Sequence, residues 1–357
     1  MRLGDVRRRE RRPLLFLGVD TSSYTTSVAL VGEAGETVLD AREPLQVPPG
    51  ALGLRQSDAV FLHLRQLPGL LEAAFEQARL HGEVAAVGVS ARPRPQPDSY
   101  LPVFVVGLGF ARAVARAAGA ELVLSSHQEG HVACGLGAGG GWPGGAGPAT
   151  DASEGAAGPG GGAEVLVLHA SGGTTEMAIY ALGREGPRLA RVLGSSLDLH
   201  AGQFVDRLGQ AMGLAFPAGP ALEALAASGR PRAVHLPEAV RGYRASFSGP
   251  HSAALRCLEA GAEPADVALA ALDCLARTFG RILARAQEEV GLGRALVVGG
   301  VAANLHLRRA LECRLAGQGK ELELGFPPPP LCTDSAVGPA RLARWRFSAI
   351  EGAAASG

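Results

Sequence analysis

Apolar and polar positions along the chain form short buried runs that alternate with segments of helical period. The runs at 14–19 and 85–91 are typical of buried strands, and apolar residues recur at helical spacing through 57–81. A second helix is predicted over 103–118, closed by Gly119, and the sequence ELVLSSH then predicts another strand. Strands and helices that alternate in this way indicate an α/β protein.

One arrangement of these elements occurs twice. Residues 14–31 predict a strand, a hydroxyl-rich polar turn (DTSSYTT) and a second strand, and residues 164–182 repeat this layout around the turn SGGTT. The sequence RALVVGGVAANLHLRRAL then predicts a strand, a Gly-Gly turn and a helix that begins near Asn304. The repetition suggests a duplicated α/β nucleotide-binding architecture with a cleft between its halves.

The length of 357 residues predicts two domains with separate cores. The stretch from Gly135 to Gly162 is almost entirely Gly, Ala, Pro and small polar residues, which we interpret as a disordered surface insertion. We therefore divide the chain into a basic N-terminal tail (1–13), an N-terminal lobe (14–125), a segment with the histidine motif and the insertion (126–163), a C-terminal lobe (164–346) and a C-terminal tail (347–357).

Charge and composition exclude several classes of protein. The chain has 34 basic and 34 acidic residues, so no overall field attracts nucleic acid or a membrane. Its five cysteines form no CxxC pair, which argues against a disulfide framework or a zinc ribbon. We find no signal peptide and no apolar run of membrane length, and we expect a cytoplasmic protein without a membrane partner.

The stretch HQEGH carries candidate chemistry, because a helix would place His127 and His131 on one face. The best candidate for a third metal ligand is Asp334, which precedes a predicted helix. Glu129 is not at the position of the zincin glutamate, which directly follows the first histidine. From spacing alone, a metal site and an ordinary pair of histidines remain equally acceptable.

Eight segments, in order, resemble motifs of the threonylcarbamoyl-transfer family, tRNA-modifying proteins formerly described as O-sialoglycoprotein endopeptidases. The resemblance runs from about residue 14 to about residue 346, apart from the glycine-rich insertion. The segments are GVDTSSYTT (18–26), HQEGH (127–131), ASGGTT (170–175), GQFVDRLG (202–209), FPAGP (216–220), FSGPHSA (247–253), GGVAAN (299–304) and CTDS (332–335).

The resemblance implies the duplicated α/β fold of actin, sugar kinases and Hsp70-like proteins, with a nucleotide between two lobes. It implies transfer of a threonylcarbamoyl group from threonylcarbamoyl-adenylate to N6 of adenosine 37 in tRNAs that read ANN codons. It also implies one divalent ion, iron or zinc, on His127, His131 and Asp334, with threonylcarbamoyl-AMP or an adenine nucleotide as ligand. The residues it assigns to substrate or nucleotide binding are Thr21, Ser22, Ser171, Gly172, Gly173, Asp206, Gly219 and Asn304.

Six residues depart from the family motifs, and by analogy we expect all of them at the cleft: Tyr24, Thr25, Thr174, Arg207, His251 and Ser335. These departures leave open a second hypothesis, a nucleotide- and metal-binding paralogue that partners or regulates the transferase without modifying tRNA. A metallopeptidase is a third hypothesis, and it needs a general-base carboxylate, for which only Glu129 is adjacent.

The net charge of the chain and its resemblance to the family both indicate partner proteins. Affinity for RNA rests largely on Lys and Arg contacts to phosphate, so we expect partner subunits to supply contacts to tRNA that a chain of near-zero net charge lacks. The resemblance implies a smaller paralogous subunit and an ATPase subunit as these partners.

Overall fold

A computed structural model describes residues 12–48, 51, 53–137, 163–319 and 321–354. Residues 1–11, most of the predicted basic tail, and residues 138–162, most of the predicted glycine-rich insertion, lie outside the described part of the chain.

The first half of the chain forms a mixed five-stranded sheet and three helices. The elements are β1 (Leu14–Asp20), β2 (Thr25–Gly32), β3 (Thr37–Pro44), α1 (Gln56–His81), β4 (Glu83–Arg92), α2 (Val103–Ala118), β5 (Glu121–Ser126) and α3 (His127–Leu136). The strand order is β3-β2-β1-β4-β5, in which β1 pairs antiparallel with β2 and parallel with β4. The predicted strand–turn–strand unit and both predicted helices are confirmed.

The second half repeats this sheet and adds helices on its outer face. The elements are β6 (Ala163–Ala170), β7 (Thr175–Gly183), β8 (Gly186–Ser195), α4 (Ala201–Ala211), α5 (Gly219–Ala226), β9 (Val240–Arg241), β10 (Arg244–Ala245), α6 (Ser248–Glu259), α7 (Pro264–Val290), β11 (Arg294–Val298), a 3₁₀ turn (Gly300–Ala303), α8 (Leu305–Gly317), β12 (Glu323–Gly325), α9 (Pro329–Cys332) and α10 (Val337–Ala354). The strand order β8-β7-β6-β11-β12 matches that of the first sheet, with the same parallel and antiparallel pairings. The duplicated α/β architecture is therefore confirmed.

Both central strands are buried on their two faces, which explains their continuous apolar sequences. In β1, Leu15, Leu17 and Val19 pack on the side of α1 and α2, whereas Phe16 faces the opposite side. In β6, alternate residues likewise divide between the outer core beneath α4–α8 and a smaller core shared with α3. Helices α3 and α10 consequently lie between the two sheets and belong to the packing of both.

Helix α10 covers the inner face of the first sheet although it follows the second sheet in sequence. The ring of Phe347 lies edge-on to that of Phe16, with 5.7 Å between their centroids, and Ala343 joins the same buried cluster. The domain boundary predicted at residue 346 falls inside this helix, which continues to Ala354. In the described ranges, none of the helices combines the length and apolarity that crossing a bilayer needs.

Candidate metal centre and nucleotide cleft

Helix α3 begins at His127, and a capping box fixes its first turn. The Ser126 hydroxyl accepts a hydrogen bond from the Glu129 amide (3.2 Å), and the Glu129 carboxylate accepts one from the Ser126 amide (2.7 Å). The spacing of Ser and Glu is the sequence signature of such a start. The Glu129 carboxylate is thus engaged at the cap, and Arg346 lies 3.7 Å from it.

His127 and His131 project from successive turns of α3, and Asp334 faces both from the segment before α10. His127 Nε2 lies 3.0 Å from His131 Nε2 and 3.4 Å from Asp334 Oδ1, and His131 Nε2 lies 3.8 Å from the same oxygen. Donor atoms bound to one ion at about 2.0–2.2 Å are separated by similar distances. Two imidazole nitrogens and one carboxylate oxygen therefore fit a single divalent ion.

The crossing of α3 and α10 brings these ligands together. A Cβ atom added to Gly338 would lie 2.2 Å from the carbonyl oxygen of Gly130, so the two helices approach at backbone contact. Asp334 comes four residues before Gly338 and His131 directly follows Gly130. Close packing of two glycines thus sets the distance between the carboxylate and the histidines.

A buried carboxylate orients His127 from behind. Asp20, at the end of β1, is 1% exposed, and its Oδ2 lies 3.0 Å from His127 Nδ1. The Ser22 amide and the Ser90 hydroxyl also donate to this carboxylate, both at 2.6 Å. A hydrogen bond from Nδ1 to Asp20 leaves the Nε2 lone pair of His127 for an ion, which is the carboxylate–histidine–metal arrangement.

Charges in this cluster set the protonation of the metal-free site. Burial lowers the pKa of His127, but the charge of Asp20 and the hydrogen bonds to Asp20 and Asp334 outweigh it and raise the pKa to about 10. Burial and the neighbouring His127 lower the pKa of His131 to about 4. Burial raises the pKa of Asp20, but the charge of His127 and the hydrogen bonds lower it to about 2. Near neutral pH the metal-free histidine pair therefore carries one proton more than two neutral imidazoles, as a charged His127 beside a neutral His131.

The cleft beside this site has a volume of about 1210 Å³, and a glycine turn forms part of its wall. The Ser171 hydroxyl accepts from the amides of Gly173 (3.3 Å) and Thr174 (3.1 Å), which fixes the turn between β6 and β7. A Cβ on Gly172 or Gly173 would meet nothing within 4 Å, so their backbone borders open space. All three predicted residues of this turn, Ser171, Gly172 and Gly173, line the cleft.

The structure brings the other predicted residues of the second lobe to the same cleft. Asp206 on α4, Gly219 at the start of α5 and Asn304 before α8 all line it. The Ala218 amide donates to Asp206 Oδ1 (2.9 Å), and the Leu307 amide donates to Asn304 Oδ1 (2.7 Å). One carboxylate oxygen of Asp206 and the amide nitrogen of Asn304 are not used by these two contacts.

Thr21 and Ser22 differ from the prediction, because neither lines the cleft. The Thr21 hydroxyl donates to the Val103 carbonyl (2.8 Å) and accepts from the Gly107 amide (3.0 Å), and both Thr21 and Ser22 are fully buried. Thr21 therefore attaches the turn to α2, and the assignment of Thr21 and Ser22 to ligand binding stays a prediction. The cleft wall of this turn is formed by Ser23, Tyr24 and Thr25.

Four of the six departures from the family motifs line the cleft, and two do not. The four are Tyr24, Thr25, Thr174 and Arg207. His251 packs edge-on against Phe204, and Ser335 caps α10 by accepting from the Val337 amide (3.1 Å). The expectation that all six lie at the cleft is wrong for these two residues, because His251 packs against a ring of α4 and the Ser335 hydroxyl is used in a hydrogen bond at the start of α10.

Sequence reasoning missed three residues of the site. Asp20 is the last residue of β1 and His169 is the penultimate residue of β6, and both follow apolar runs that predict only buried strands. Arg94 belongs to a proline-rich loop without a known motif. His169 and Arg94 line the cleft, and Asp20 lies behind His127. A polar residue at the carboxyl end of a buried strand was the available signal for the first two.

Comparison with known proteins identifies the family. The family model for tRNA N6-adenosine threonylcarbamoyltransferase (TsaD) matches residues 160–340. A tRNA N6-adenosine threonylcarbamoyltransferase of Thermus thermophilus is 32% identical over 339 residues, which cover 94% of this chain and 92% of that protein. A probable bifunctional tRNA threonylcarbamoyladenosine biosynthesis protein of Methanothermobacter thermautotrophicus is 29% identical, and this chain spans 54% of its length.

Solved structures agree on the fold. The HypF protein of T. kodakarensis superposes with a TM-score of 0.58 at 14% identity, over 96% of this chain and 48% of that chain. The likeness supports the duplicated α/β fold and extends to no function. Together, the family model and the relatives show that the chain belongs to the tRNA N6-adenosine threonylcarbamoyltransferase family.

Proposed function

We propose that this protein transfers the threonylcarbamoyl group of threonylcarbamoyl-adenylate to N6 of adenosine 37 in tRNAs that read ANN codons. The observation that carries the proposal is the set of His127, His131 and Asp334, whose donor atoms converge beside the cleft in a member of this family. The exocyclic amine of adenosine is a weak nucleophile. The transfer therefore needs a polarised carbonyl and a stabilised AMP leaving group.

The three proposed ligands are suited to polarising the carbonyl. A divalent ion bound there supplies a Lewis acid for the carbonyl of the carbamoyl group. Asp20 holds His127 in the tautomer that presents Nε2, and the Ser126–Glu129 cap holds the first turn of α3. Histidine and carboxylate ligands accept either iron or zinc.

Residues of the cleft are suited to stabilising the AMP leaving group. The Gly172 amide, which has no acceptor among the described residues, is a preorganised donor for the phosphate, and Arg94 adds a positive charge at the cleft. Burial and the nearby charge of Arg94 lower the pKa of His200, which precedes α4. We assign the ribose hydroxyls to Asp206 and Gly219, and the base or ribose to Asn304.

Partner subunits belong to the proposal as well. The balanced charge of the chain gives little general attraction for tRNA, so we propose a smaller paralogous subunit and an ATPase subunit as partners. Exposed apolar side chains on the outer helices, Phe61 and Leu64 of α1 and Val105 of α2, support a protein-binding surface there. A tRNA substrate places the proposed reaction in the cytoplasm.

The proposal is tested by incubating the metal-loaded protein with threonylcarbamoyl-adenylate and unmodified ANN-decoding tRNA, with and without the partner subunits. Modified adenosine is quantified by mass spectrometry. We expect product with the wild-type protein and a loss of at least about 100-fold with Asp334→Ala, because one of three ligands is removed.

Glu259→Ala is the matched control, since it removes an exposed carboxylate on α6 that does not line the cleft. Its yield should equal that of the wild type. Absence of product from wild-type protein that still binds an adenine nucleotide would contradict the transferase proposal.

The contact between Tyr24 and Phe216 favours a second candidate, a nucleotide- and metal-binding paralogue that regulates the transferase. Their rings lie 5.0 Å apart at 73°, so an aromatic contact joins the two walls of the cleft at Tyr24, a position that departs from the family motifs. This candidate predicts nucleotide binding without transfer, and faster transfer by a separate active enzyme when the protein is added.

A further inference from the structure

The proline-rich loop between β4 and α2 forms a wall of the cleft that the proposed function leaves unused, apart from the charge of Arg94. Seven of its ten residues (93–102) line the cleft. The Gln128 amide donates to the Pro93 carbonyl (3.2 Å), which ties the start of the loop to the helix that begins at His127. The loop therefore borders the cleft beside the proposed metal centre.

This wall is held in one shape before any ligand binds. Proline occupies four of its ten positions, and each proline fixes its own backbone φ. The Ser99 hydroxyl accepts from the Arg94 amide (3.0 Å), and the Ser99 amide donates to the Gln96 carbonyl (3.1 Å). A ligand that binds here spends little free energy on ordering the loop.

Tyr100 gives the wall an aromatic surface. The side chain is 68% exposed although it lines the cleft, and within the described residues its ring packs on no other aromatic ring. Proteins that bind single-stranded RNA commonly stack its bases on aromatic side chains. The loop of a tRNA anticodon arm is single-stranded, so the exposed ring suits one of its bases.

Gln96 adds a polar group to the same wall. Its Oε1 atom is buried and has no hydrogen-bond partner among the described residues, and the residue lines the cleft. A buried acceptor without a donor is explained when a ligand supplies the donor. A glutamine amide matches adenine, because its oxygen accepts from the N6 amine while its nitrogen donates to a ring nitrogen.

The charge of the loop favours a base over a phosphate as its ligand. Residues 93–102 contain one basic side chain, Arg94, and one acidic side chain, Asp98, and both line the cleft. A wall that binds an RNA backbone needs an excess of positive charge. Stacking and an amide hydrogen bond do not need that excess.

The loop also lies on the wall that the donor nucleotide does not use. The residues assigned above to the donor's ribose and base belong to the second lobe: Asp206, Gly219 and Asn304. The loop belongs to the first lobe. Donor and acceptor adenosines therefore have separate walls of one cleft.

We propose that this loop binds the acceptor nucleoside, with Tyr100 stacked on the base of adenosine 37 and Gln96 accepting a hydrogen bond from its N6 amine. The inference rests on the proposed function and adds to it the residues that recognise the acceptor.

The stacking contact is tested by binding, without a donor substrate. A fluorescently labelled anticodon stem–loop RNA with adenosine at position 37 is titrated with the full-length protein at low salt, and its anisotropy is followed. We expect Tyr100→Ala to weaken binding about 5–150-fold, the usual effect of losing one base–aromatic stack. Tyr100→Phe keeps the ring and should bind within about twofold of the wild type.

The contact of Gln96 is tested by changing the RNA as well as the protein. In a second stem–loop, purine riboside replaces adenosine 37 and so lacks only the N6 amine. We expect the wild type to prefer the adenosine RNA about 2–12-fold, as for one hydrogen bond, and Gln96→Met to bind both RNAs alike. A merely structural role of Gln96 would weaken both RNAs equally and would keep the preference.

Two controls accompany these titrations. Leu80→Ala removes an apolar side chain that is 76% exposed at the end of α1 and does not line the cleft, so it should leave RNA binding unchanged. AMP should bind Tyr100→Ala and Gln96→Met as tightly as the wild type, because its proposed contacts lie in the second lobe.

The inference is overturned if the wild type does not bind the stem–loop, if Tyr100→Ala binds it as the wild type does, or if Gln96→Met keeps the preference for adenosine. The second result would instead assign Tyr100 to a protein-binding surface with Val105 of α2, which is also exposed. RNA binding with these effects but without transfer in the presence of donor would contradict the proposed function and would leave the acceptor site in place.

Discussion

At the scale of single residues, Asp20 contributes no ligand to the metal centre. Among the residues that do not bind the ion, it is the one on which the centre most depends. It is buried, it accepts from Ser22 and Ser90, and it fixes the tautomer of His127. Replacing Asp20 by Asn keeps the shape but removes the charge that favours Nδ1–H. We expect Zn²⁺ affinity to fall about 10–100-fold, as measured by chelator competition.

Ser90→Ala is the companion variant for this prediction. It removes one donor to Asp20 and keeps the charge, so its effect on affinity should be smaller than that of Asp20→Asn. An unchanged affinity in Asp20→Asn would show that the carboxylate does not orient His127.

The shared proton of the histidine pair makes metal binding depend on pH. The pKa of His127 is about 10 and that of His131 about 4 in the metal-free protein, so the ion must displace one proton between these values. Affinity should therefore rise with pH, about tenfold per unit across the neutral range. Calorimetry in two buffers of different ionisation enthalpy should give a release of about one proton per ion, and zero release would contradict the assignment.

The same pair links the stability of the metal-free protein to pH. The raised pKa of His127 contributes stability that is complete below about pH 6.5 and is lost as the pH rises towards 10. The lowered pKa of Asp20 contributes stability that is complete above about pH 4 and is lost as the pH falls towards 2. The difference in unfolding free energy between wild type and Asp20→Asn should thus be largest between about pH 4 and 6.5 and should shrink above it.

At the scale of elements, the start of α3 is a point where helix stability and ligand position are coupled. Ser126→Ala removes the cap and should lower the unfolding free energy by about 0.5–2 kcal/mol. Because His127 is the first residue of the helix, the variant should also bind Zn²⁺ more weakly. Denaturant unfolding and chelator competition measure the two effects.

Asn304→Ala provides the comparison, since Asn304 caps α8, which carries none of the proposed ligands. It should lower stability by a similar amount and leave Zn²⁺ affinity unchanged. Equal losses of affinity in both variants would mean that general stability, and not the position of His127, sets the affinity.

The crossing of α3 and α10 gives a second prediction at this scale. Gly338→Ala places a Cβ 2.2 Å from the Gly130 carbonyl, and neither backbone can yield without separating the helices. We expect a loss of about 1–3 kcal/mol in unfolding free energy, together with weaker Zn²⁺ binding because Asp334 moves away from the histidines.

Gly352→Ala on the same helix is the matched control. A Cβ there would meet nothing within 4 Å, so the change should be neutral or should stabilise the helix by up to about 1 kcal/mol. Similar behaviour of the two alanine variants would show that the close crossing is not required.

Elements with a regular apolar period were predictable from the sequence, and contacts between elements were not. Period and capping chemistry predicted seven of the ten strands of the two sheets (β1, β2, β4, β5, β6, β7 and β11), α1, the glycine cap of α2 and the start of α8 at Asn304. The outer strands β3, β8 and β12 were not predicted. The inward use of the Thr21 hydroxyl depends on where α2 packs, which no local pattern encodes.

The same limit applies within the site. The i,i+4 spacing predicts that His127 and His131 share a face, but the contribution of Asp334 requires the crossing of α3 and α10. Likewise, the local sequence around His169 indicates only that it belongs to a buried strand. Only the packing of β6 against α3 places it beside the histidine pair.

At the scale of the whole molecule, charge balance predicts how the protein meets RNA. With 34 basic and 34 acidic residues, the isolated chain should bind tRNA weakly, and the dependence of log affinity on log salt should be shallow. Each phosphate contact adds about 0.7–0.9 to that slope, so partner subunits that supply the contacts should steepen it. A steep slope for the isolated chain would contradict the proposed sharing of RNA contacts.

Because α10 covers the inner face of the first sheet, that face stays uncovered on the ribosome until α10 has been synthesised. Val337 follows Ser126, the last residue of that sheet, by 211 positions (337 − 126), so translation at about 5–20 residues per second delays closure by on the order of 10–40 s. Until then, the inner face of the nascent sheet, with Phe16, lacks the cover that α10 provides. Asp334 is synthesised in the same late interval. The full ligand set can therefore bind the ion only after translation has passed both lobes.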